Sequence, residues 1–486
     1  MLFNSFQFLW FFPLFFLLYW VVFRRNLKLQ NLFIVAASYL FYGWWDYRFL
    51  SLIIASSLLD YFIGIQLSNT TAKRNRKLLL LTSLAFNLGM LGFFKYCDFF
   101  IDSFVDLFAL ADISVHRNSL NIILPVGISF YTFQTLSYTI DVYRNKLSES
   151  RNLIQFLAYV SFFPQLVAGP IERATNLLPQ FAKQRKLSAA RLTDGLRQIL
   201  WGLFKKVVIA DGCARHVNYI FENADATPGF LLIIGAILFA FQIYCDFSGY
   251  SDIAIGTARL LGFDLMTNFR TPYFSRDIAE FWRRWHISLS SWFKDYVYIP
   301  LGGSRVSKGK MIRNTFIIFL VSGFWHGANW TFVIWGLINA LYFLPLFLRK
   351  RNREHLDISG ATWPSLREVT SITATFALTC IAWVFFRADS LTDALIYFKN
   401  IFSNKFLPTF QGDIKDVTFN QPILFFTICL FICFMLVIEW KTKDRKHGLD
   451  IDLWKPRARI FVYYLTTFLI IFYGTFEETA FIYFQF

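Results

Sequence analysis

The chain has little charge, few cysteines and no linker-like segments, and each shortage excludes a class of protein. Only 16% of its 486 residues are charged, against 56% that are hydrophobic, which does not match the ordinary composition of soluble multidomain proteins. The six cysteines show no metal-ligand spacing, so neither a zinc site, nor a disulfide framework, nor a bound cofactor is expected. No Gly/Ser-rich linker, low-complexity tract or internal repeat divides the chain.

Apolar runs of about 15–22 residues recur along nearly the whole length instead. A run of about 20 apolar residues spans a hydrocarbon core roughly 30 Å thick, so we predict an all-α integral membrane protein with about 10 to 13 transmembrane or re-entrant helices. Residues 1–23 lack a basic n-region and a small-residue cleavage site, which predicts a retained span. The candidate crossings are residues 6–23, 31–46, 49–67, 78–96, 119–141, 196–219, 229–247, 314–326, 330–347, 370–387, 421–439 and 460–476.

The net charge of +16 raises the question of nucleic-acid binding, which the placement of the charges answers. One alternating set of connecting segments carries 38 of the 48 Lys and Arg residues, the other carries eight, and Lys205 and Lys206 lie inside a predicted span. By the positive-inside rule the rich set is cytoplasmic, both termini face outward, and no nucleic-acid partner is expected. The 314–326 run is short and 196–219 is charged, so either forms a re-entrant hairpin with its successor as an alternative, without changing the sides of the remaining loops.

The composition of the sequence changes between residues 119 and 347. We expect one membrane domain, with ordinary spans in residues 1–118, a catalytic core in 119–347, and further spans with an outward-facing tail in 348–486. In the core, Gly, Pro, charged and amide residues interrupt the apolar runs. Polar or irregular backbone is tolerated at membrane depth only where protein buries it or where it lines a cavity, so we expect the function to lie in the core.

Apolar residues recur at intervals of three and four after Pro272, which predicts an amphipathic helix. The apolar positions are Phe274, Ile278, Phe281, Trp282, Trp285, Leu289, Trp292 and Phe293. The tryptophans are suited to the headgroup level, so we expect this helix to lie in the cytoplasmic interface, with His286 at the border of its apolar stripe.

His326 is the strongest candidate for chemistry. It follows Asn314 by 12 residues, which is about 18 Å along a helix, and Gly323, Gly327 and Asn329 are expected to interrupt the helix around it. An ionisable residue at that depth is costly and usually faces a cavity or a functional pathway. The alternative is a neutral histidine bonded to a neighbouring helix. The four histidines in or near loops are predicted to be structural: His116, His216, His355 and His447.

Two long motifs make the chain similar to a known family. They are RTPYFSRDIAEFWRRWHISLSSWFKDYVYIPLGGSR (Arg270–Arg305) and FWHGANWTFVIWGL (Phe324–Leu337), accompanied in order by PVGISFYTFQTLSYTIDVYR, FFPQLVAGPIER and YCDFSGYSDIAIG. The chain resembles the membrane-bound O-acyltransferase superfamily, in particular its bacterial branch that acetylates exported polymers such as alginate. The resemblance covers essentially the whole chain.

The resemblance implies that His326 is the catalytic histidine and that His286 is a second family histidine on the cytoplasmic side. It also implies a ring of helices around a catalytic tunnel in a bacterial inner membrane, a cytoplasmic thioester donor such as acetyl-CoA, and an acceptor on the outer side. Histidine titrates near neutrality and is suited to deprotonating a hydroxyl.

Other residues of the core are candidates for support of the site. Arg283, Arg284, Lys294 and Arg305 either bind a phosphorylated donor or only fix topology. Asp246 and Asp252 either orient a histidine or pair with arginines, and Glu172 and Arg173 present the same choice. The candidate substrate-binding or supporting residues are Trp325, Asn329, Asp246, Asp252, Arg283, Arg284 and Trp285.

The last residues, FIYFQF, contain Tyr483 between aromatic neighbours. Such a residue is usually an interfacial anchor, but the resemblance suggests an acyl relay. The hypothesis is that His326 deprotonates Tyr483, which accepts the acetyl group and passes it to an extracytoplasmic serine-esterase-like partner for transfer to an exported polysaccharide. Peptidoglycan O-acetylation and teichoic-acid D-alanylation, the latter with a carrier-protein donor, remain alternatives. A lipid or acyl-carrier transporter without chemistry and a structural scaffold are alternatives of other classes.

Overall fold

The computed structural model describes residues 1–115, 120, 122–167, 169–356, 363–402, 405–476 and 481–482. Over these residues the secondary structure is helical and contains no β-strand, as expected for an all-α integral membrane protein. The contacts divide the chain into two compact units, Met1–Leu192 with Thr257–Met266, and Thr193–Gly256 with Thr267–Phe486.

Among the described residues, six helices are long and apolar enough to cross a membrane. They are Tyr47–Asn69, Lys73–Ala109, Gly229–Leu260, Trp330–Leu348, Leu366–Arg387 and Pro422–Lys441. Two shorter apolar helices, Phe6–Val21 and Leu153–Leu166, accompany them. The span predicted over 78–96 is thus part of a longer helix, which continues through a π-helical turn at Gly92–Tyr96.

The first unit is built around a helix that protein covers on nearly every side. Of the 16 residues of Ile128–Tyr143, all but two are buried, and the helix begins at Gly127, whose φ of 74° favours glycine. The α-helices of this unit are Phe6–Val21, Leu27–Gly43, Leu50–Asn69, Lys73–Leu91, Cys97–Ala109, Ile128–Tyr143, Leu153–Ser161, Phe163–Leu166 and Ala174–Phe181.

A buried carboxylate ties three helices of the first unit together. Asp60 accepts hydrogen bonds from the hydroxyls of Ser83 at 2.5 Å and Thr139 at 3.0 Å, and from the amide of Asn87 at 2.8 Å. Each donor lies on Lys73–Leu91 or Ile128–Tyr143. A buried polar group must be hydrogen-bonded to be tolerated, so this network fixes how the helices pack.

The second unit contains both His286 and His326. Its α-helices are Ala189–Leu203, Asp211–Glu222, Gly229–Leu260, Ile278–Arg284, Ile287–Phe293, Lys308–His326, Trp330–Leu348, Leu366–Arg387, Leu391–Ile401, Lys415–Val417, Pro422–Lys441 and Pro456–Tyr473. The first and third of these begin or end in the other unit. A π-helical turn, Phe204–Ala210, joins the first two.

The predicted end of a span at residue 247 is wrong, because the helix Gly229–Leu260 continues through the YCDFSGYSDIAIG motif. Its glycines allow close helix packing and do not break the helix: a methyl group on Gly249 would lie 2.8 Å from the carbonyl oxygen of Gly202, and one on Gly256 would lie 2.6 Å from that of Gly195. Small residues at helix contacts of this kind let two backbones approach.

The prediction of one continuous amphipathic helix after Pro272 is also wrong. The structure divides it into Ile278–Arg284 and Ile287–Phe293, with His286 between them in a left-handed conformation at φ 43°. Six of the eight apolar stripe residues are buried in protein, including Trp285 and Trp292. The periodicity therefore indicated a helix face that packs against other helices. Sequence alone does not distinguish such a face from one that contacts lipid.

The helices Lys308–His326 and Trp330–Leu348 form a hairpin whose three connecting residues follow His326 directly. Asn329 caps the second helix by accepting a hydrogen bond from the Thr331 backbone at 3.0 Å. The interruption predicted at this position is confirmed. Within the hairpin, Gly323 faces the carbonyl of Phe332, and Gly336 faces that of Phe319.

This close approach predicts that Gly323→Ala destabilises the protein. The added methyl group would overlap the Phe332 carbonyl, so the backbones of the two helices would have to move apart. Overpacking of this kind costs about 1–3 kcal/mol. Thermal unfolding of purified protein in detergent measures the effect. Gly89→Ala is the matched control, since nothing lies within 4 Å of the added methyl group, and its melting temperature should equal or exceed that of wild type. Equal melting temperatures for wild type and Gly323→Ala would contradict the packing described.

Candidate active site

His326 is the last residue of its helix and is enclosed by aromatic side chains. It is 3% exposed, and its ring centroid lies 5.0 Å from Trp325, 5.0 Å from Trp335 and 5.4 Å from Phe386. Trp335 comes from the second helix of the hairpin and Phe386 from Leu366–Arg387. Three helices thus hold the imidazole in a setting from which bulk water is excluded.

His286 approaches the same place from a different part of the chain. It is 1% exposed, and its ring centroid lies 6.4 Å from that of His326 and 6.0 Å from that of Trp325. Backbone hydrogen bonds fix the break at this residue, with Arg270 donating to the Arg284 carbonyl and Ile287 donating to that of Asn268. Two histidines that are 40 positions apart in sequence therefore share one buried location.

Asn268 sets the orientation of the His286 ring. Its Oδ1 lies 3.0 Å from His286 Nδ1 and accepts hydrogen bonds from the backbone N–H and the hydroxyl of Ser288. A backbone N–H can only donate, so this atom is the amide oxygen, and His286 Nδ1 carries the proton that faces it. The other ring nitrogen, Nε2, is then the unprotonated nitrogen of the neutral ring.

Burial lowers the pKa of His286 to about 3. The imidazole is therefore neutral at physiological pH. Phe247 packs edge-on against it at 4.7 Å, and Phe269 lies 6.4 Å away. This apolar surrounding is the cause of the shift, since desolvation disfavours the charged ring.

Trp285 lies in the aromatic layer that continues from the two histidines. Its ring lies 5.0 Å from Trp383, which stacks on Trp335 at 5.7 Å. Trp335 in turn contacts His326. Trp325 and Trp285 were both predicted as site residues. Trp325 packs against both histidines, and Trp285 belongs to the aromatic layer that packs against His326 through Trp383 and Trp335.

Asp246 and Asp252 pair with lysines, not with histidines or arginines as the sequence reasoning had it. Lys205 Nζ lies 2.6 Å from Asp252 and 4.0 Å from Glu439, and Lys206 Nζ lies 2.8 Å from Asp246. Lys206 also lies 2.7 Å from Asp211. Buried charges are tolerated only when paired in this way, which explains two lysines inside a predicted span.

A polar cavity of about 40 Å³ opens beside the Lys205 cluster. Asn268 and Phe269, which touch His286, form part of its lining. The basic lining residues are Lys205, Arg270, Lys443, Arg445 and Lys446, and the acidic ones are Asp252 and Glu439. Lys205 neutralises both carboxylates in part, so the remaining four cations give the cavity a positive potential suited to an anion.

The other predicted supporting residues have structural partners. Arg283 donates to the backbone carbonyls of Asn352 and His355, and Arg284 pairs with Glu280 at 2.5 Å. Asn329 is a helix cap whose side-chain amide also donates to the Asp389 carbonyl. Lys294 and Arg305 are exposed.

Glu172 lies in the first unit and has its hydrogen-bond partners there. It accepts hydrogen bonds from the Met266 backbone at 2.5 Å and from Asn176 at 2.7 Å. Burial raises the pKa of its carboxyl group to about 7. These hydrogen bonds match neither of the two roles that the sequence left open for this residue, which were to orient a histidine or to pair with an arginine.

The remaining histidines that the structure describes have local contacts. His216 Nδ1 lies 2.8 Å from the Val417 carbonyl oxygen, His447 Nε2 lies 3.1 Å from Asp194, and His355 lies 3.8 Å from Asp277. His116 and Tyr483 lie outside the described residues. Among the described residues no group of three His, Cys, Asp or Glu side chains could hold a metal ion.

Sequence reasoning missed Asn268 and the lysine partners of the two aspartates. Lys205 and Lys206 carried a signal, since two charges inside an apolar run need buried counter-charges. Asn268 carried none, because its role depends on a contact with a residue 18 positions away.

The lowered pKa of His286 predicts a pH dependence of stability. The unfolded chain protonates this ring below about pH 6.5, whereas the folded protein does so only near pH 3, so stability is lost as the pH falls through that window and is unaffected above it. In His286→Gln this loss is absent. The melting-temperature difference between wild type and His286→Gln should therefore shrink from about pH 7.5 to about pH 4.5. A difference that stays constant over that range would contradict a neutral buried His286.

The part of the chain that contains His286 and His326 matches a known protein family. The profile of MBOAT, the membrane-bound O-acyltransferase family, matches residues 3–357, which contain both of them. The chain is 40% identical to a probable alginate O-acetylase of Azotobacter vinelandii over 82% of this chain and 77% of that protein.

Two further relatives carry other names. The chain is 33% identical to the peptidoglycan O-acetyltransferase of Helicobacter pylori over 100% of this chain and 98% of that protein. It is 29% identical to the teichoic acid D-alanyltransferase of Bacillus subtilis over 60% of this chain and 78% of that protein. From the extent of the family match and these identities, the chain belongs to the membrane-bound O-acyltransferase family and is an O-acyltransferase of the membrane.

Proposed function

We propose that this enzyme transfers an acetyl group from a cytoplasmic thioester, acetyl-CoA, toward an exported cell-envelope polysaccharide such as alginate. The observation that carries the proposal is the pair of buried imidazoles, 6.4 Å apart, that aromatic residues close off from water. A thioester hydrolyses when water reaches an activated acyl group, so an acyl-transfer site benefits from excluding it.

The transfer needs one base. In our proposal His326 removes the proton of the accepting hydroxyl, whose oxygen attacks the thioester carbonyl carbon. A carbon–oxygen bond forms, the carbon–sulfur bond breaks, and the proton passes from His326 to the departing thiolate. His286, neutral and held by Asn268, is placed to orient one of the reacting groups through Nε2. No step requires a metal or an oxidant.

The basic cavity supports a donor that carries phosphate groups. Its lining includes Arg270 and Lys443, and it borders Asn268, which contacts His286. Arginine and lysine side chains are the usual partners of phosphate groups. The charge-rich segments that contain these residues are cytoplasmic by the positive-inside rule, which puts the cavity on the side where acetyl-CoA is available. A donor bound there would direct its thioester toward the histidine pair.

A second acceptor, peptidoglycan, is favoured by one comparison. The peptidoglycan O-acetyltransferase of Helicobacter pylori aligns with the whole chain, although its identity of 33% is lower than that of the probable alginate O-acetylase. Both acceptors are hydroxyl-bearing glycans outside the inner membrane, and the same chemistry serves each. D-alanylation would need a carrier-protein donor and has the weaker match.

Labelled acetyl-CoA supplied to membranes that contain the enzyme and its envelope acceptor tests the role of His326. His326→Ala should lower transfer of the label by about 10²–10⁴-fold, since a general base contributes that much. His355→Gln is the control, because this loop histidine lies outside the histidine pair and should retain activity. Wild-type rates in His326→Ala would rule out the mechanism. Movement of a donor whose thioester stays intact would instead favour a transporter.

The relay is a separate part of the proposal. Tyr483 would accept the acetyl group from the donor with His326 as its base, because a phenol with a pKa near 10 is mostly protonated at neutral pH. An extracytoplasmic partner with a catalytic serine would then carry the acetyl group to the polysaccharide. Phe481 and Ile482, which precede Tyr483 in the sequence, are buried in the same unit as both histidines.

Tyr483→Phe should abolish labelling of the polymer and the appearance of an acetylated peptide that contains residue 483, because it removes the accepting oxygen. Mass spectrometry of acid-quenched wild-type protein measures the second effect. Tyr473→Phe, at the end of the helix Pro456–Tyr473, is the matched control and should leave polymer acetylation unchanged. Normal polymer acetylation in Tyr483→Phe would rule the relay out.

A further inference from the structure

The chain segment after the helix Pro456–Tyr473 contacts the interior of the second unit at Thr475, Phe481 and Ile482. The backbone N–H of Thr475 donates to the Val207 carbonyl at 2.8 Å, within the π-helical turn Phe204–Ala210. Further along, Phe481 is 0% exposed and packs edge-on against Tyr250 at 4.7 Å and Phe247 at 5.7 Å. These contacts place residue 481 one aromatic ring away from His286, since Phe247 contacts both.

A carboxylate holds the backbone of this segment. The N–H of Ile482 donates to Asp246 Oδ2 at 2.7 Å, while Asp246 Oδ1 lies 2.8 Å from Lys206 Nζ. Lys206 has a second counter-charge in Asp211 at 2.7 Å. Asp246 is thus more than a counter-ion for a buried lysine, because one of its two oxygens is directed at the main chain of the segment.

The carboxylate of Asp246 binds a backbone N–H of the segment and not one of its side chains. A hydrogen bond to an N–H fixes the position of the chain whatever the side chain of residue 482 is, and a charged acceptor makes that bond stronger than a neutral one. The neighbouring residue of the same helix, Phe247, packs on His286. Asp246 therefore sets the distance between the segment and the histidine pair through two adjacent positions of one rigid helix.

We infer that Asp246 is a positioning residue for acyl transfer, whose carboxylate docks the backbone of Ile482 beside the histidine pair so that the following residue can reach the acyl group. The inference rests on the proposed function and adds to it a residue that touches neither donor nor acceptor. Lys206 pairs with Oδ1 of the carboxylate, and Oδ2 is the oxygen directed at the segment. Asp252, on the same helix as Asp246, pairs with Lys205, and these two residues line the basic cavity instead.

Two measurements on the purified full-length protein test the positioning role of Asp246. They are hydrogen–deuterium exchange of the Ile482 amide and acyl-transfer kinetics. In Asp246→Ala the amide of Ile482 should exchange about tenfold faster or more, because its charged acceptor is lost. The kcat for transfer from labelled acetyl-CoA should fall by about tenfold or more, while the KM for acetyl-CoA stays within about twofold, since the donor cavity is untouched. Asp246→Asn keeps an oxygen acceptor and should lie between wild type and Asp246→Ala in both readouts.

The control is Asp252→Ala, which removes another lysine-paired carboxylate from the same helix and should leave the exchange of Ile482 at the wild-type rate. Wild-type exchange in Asp246→Ala would overturn the docking contact. Faster exchange with an unchanged kcat would overturn the positioning role and leave a structural anchor only. If Asp246→Ala does not fold, Asp246→Asn decides by the same readouts. A wild-type protein that transfers no acetyl group would instead sink the proposed function, independently of what the exchange rates report.

Discussion

The cost of burying an ionisable side chain away from water organises the second unit. Within it, Lys205, Lys206, His286 and His326 are each at most 3% exposed. The lysines are tolerated because Asp252 and Asp246 pair with them at 2.6 and 2.8 Å. His286 is tolerated in a different way, by remaining neutral and bonding to Asn268. The same unit thus fixes two charges with counter-charges and keeps a proton-accepting nitrogen uncharged.

Aromatic packing supplies the low-polarity setting that makes these arrangements matter. Trp325, Trp335 and Phe386 surround His326, while Phe247 and Phe269 surround His286. In such a setting electrostatic interactions are stronger than in water, and a base need not compete with solvent for its proton. The high phenylalanine and tryptophan content of the chain therefore serves the active site as well as the contact with lipid. The basic cavity lies at the polar edge of this aromatic region, where the anionic donor that we propose would meet cations before its acyl group met the histidines.

The helical class and the family followed from hydropathy and from motifs, and the depth of one histidine in an apolar run made His326 the first candidate. Nothing in the sequence placed His286 beside His326, because no local pattern brings residues 40 apart into contact. Periodicity was misleading after Pro272, since the backbone turns at His286 and buries both halves. The polar and glycine residues of YCDFSGYSDIAIG were misleading, since the span was predicted to end at residue 247 whereas the helix continues and its glycines allow close packing against a second helix. In each case a tertiary contact decided what local chemistry left open.

A cryo-electron microscopy structure of the protein in lipid nanodiscs with a non-hydrolysable thioether analogue of acetyl-CoA tests the central claim most directly. The account predicts that the analogue's phosphate groups lie among Arg270, Lys443 and their neighbours, with its sulfur in contact with the imidazoles of His286 and His326. A sulfur bound on the exterior of the second unit, with neither imidazole in contact, would contradict it.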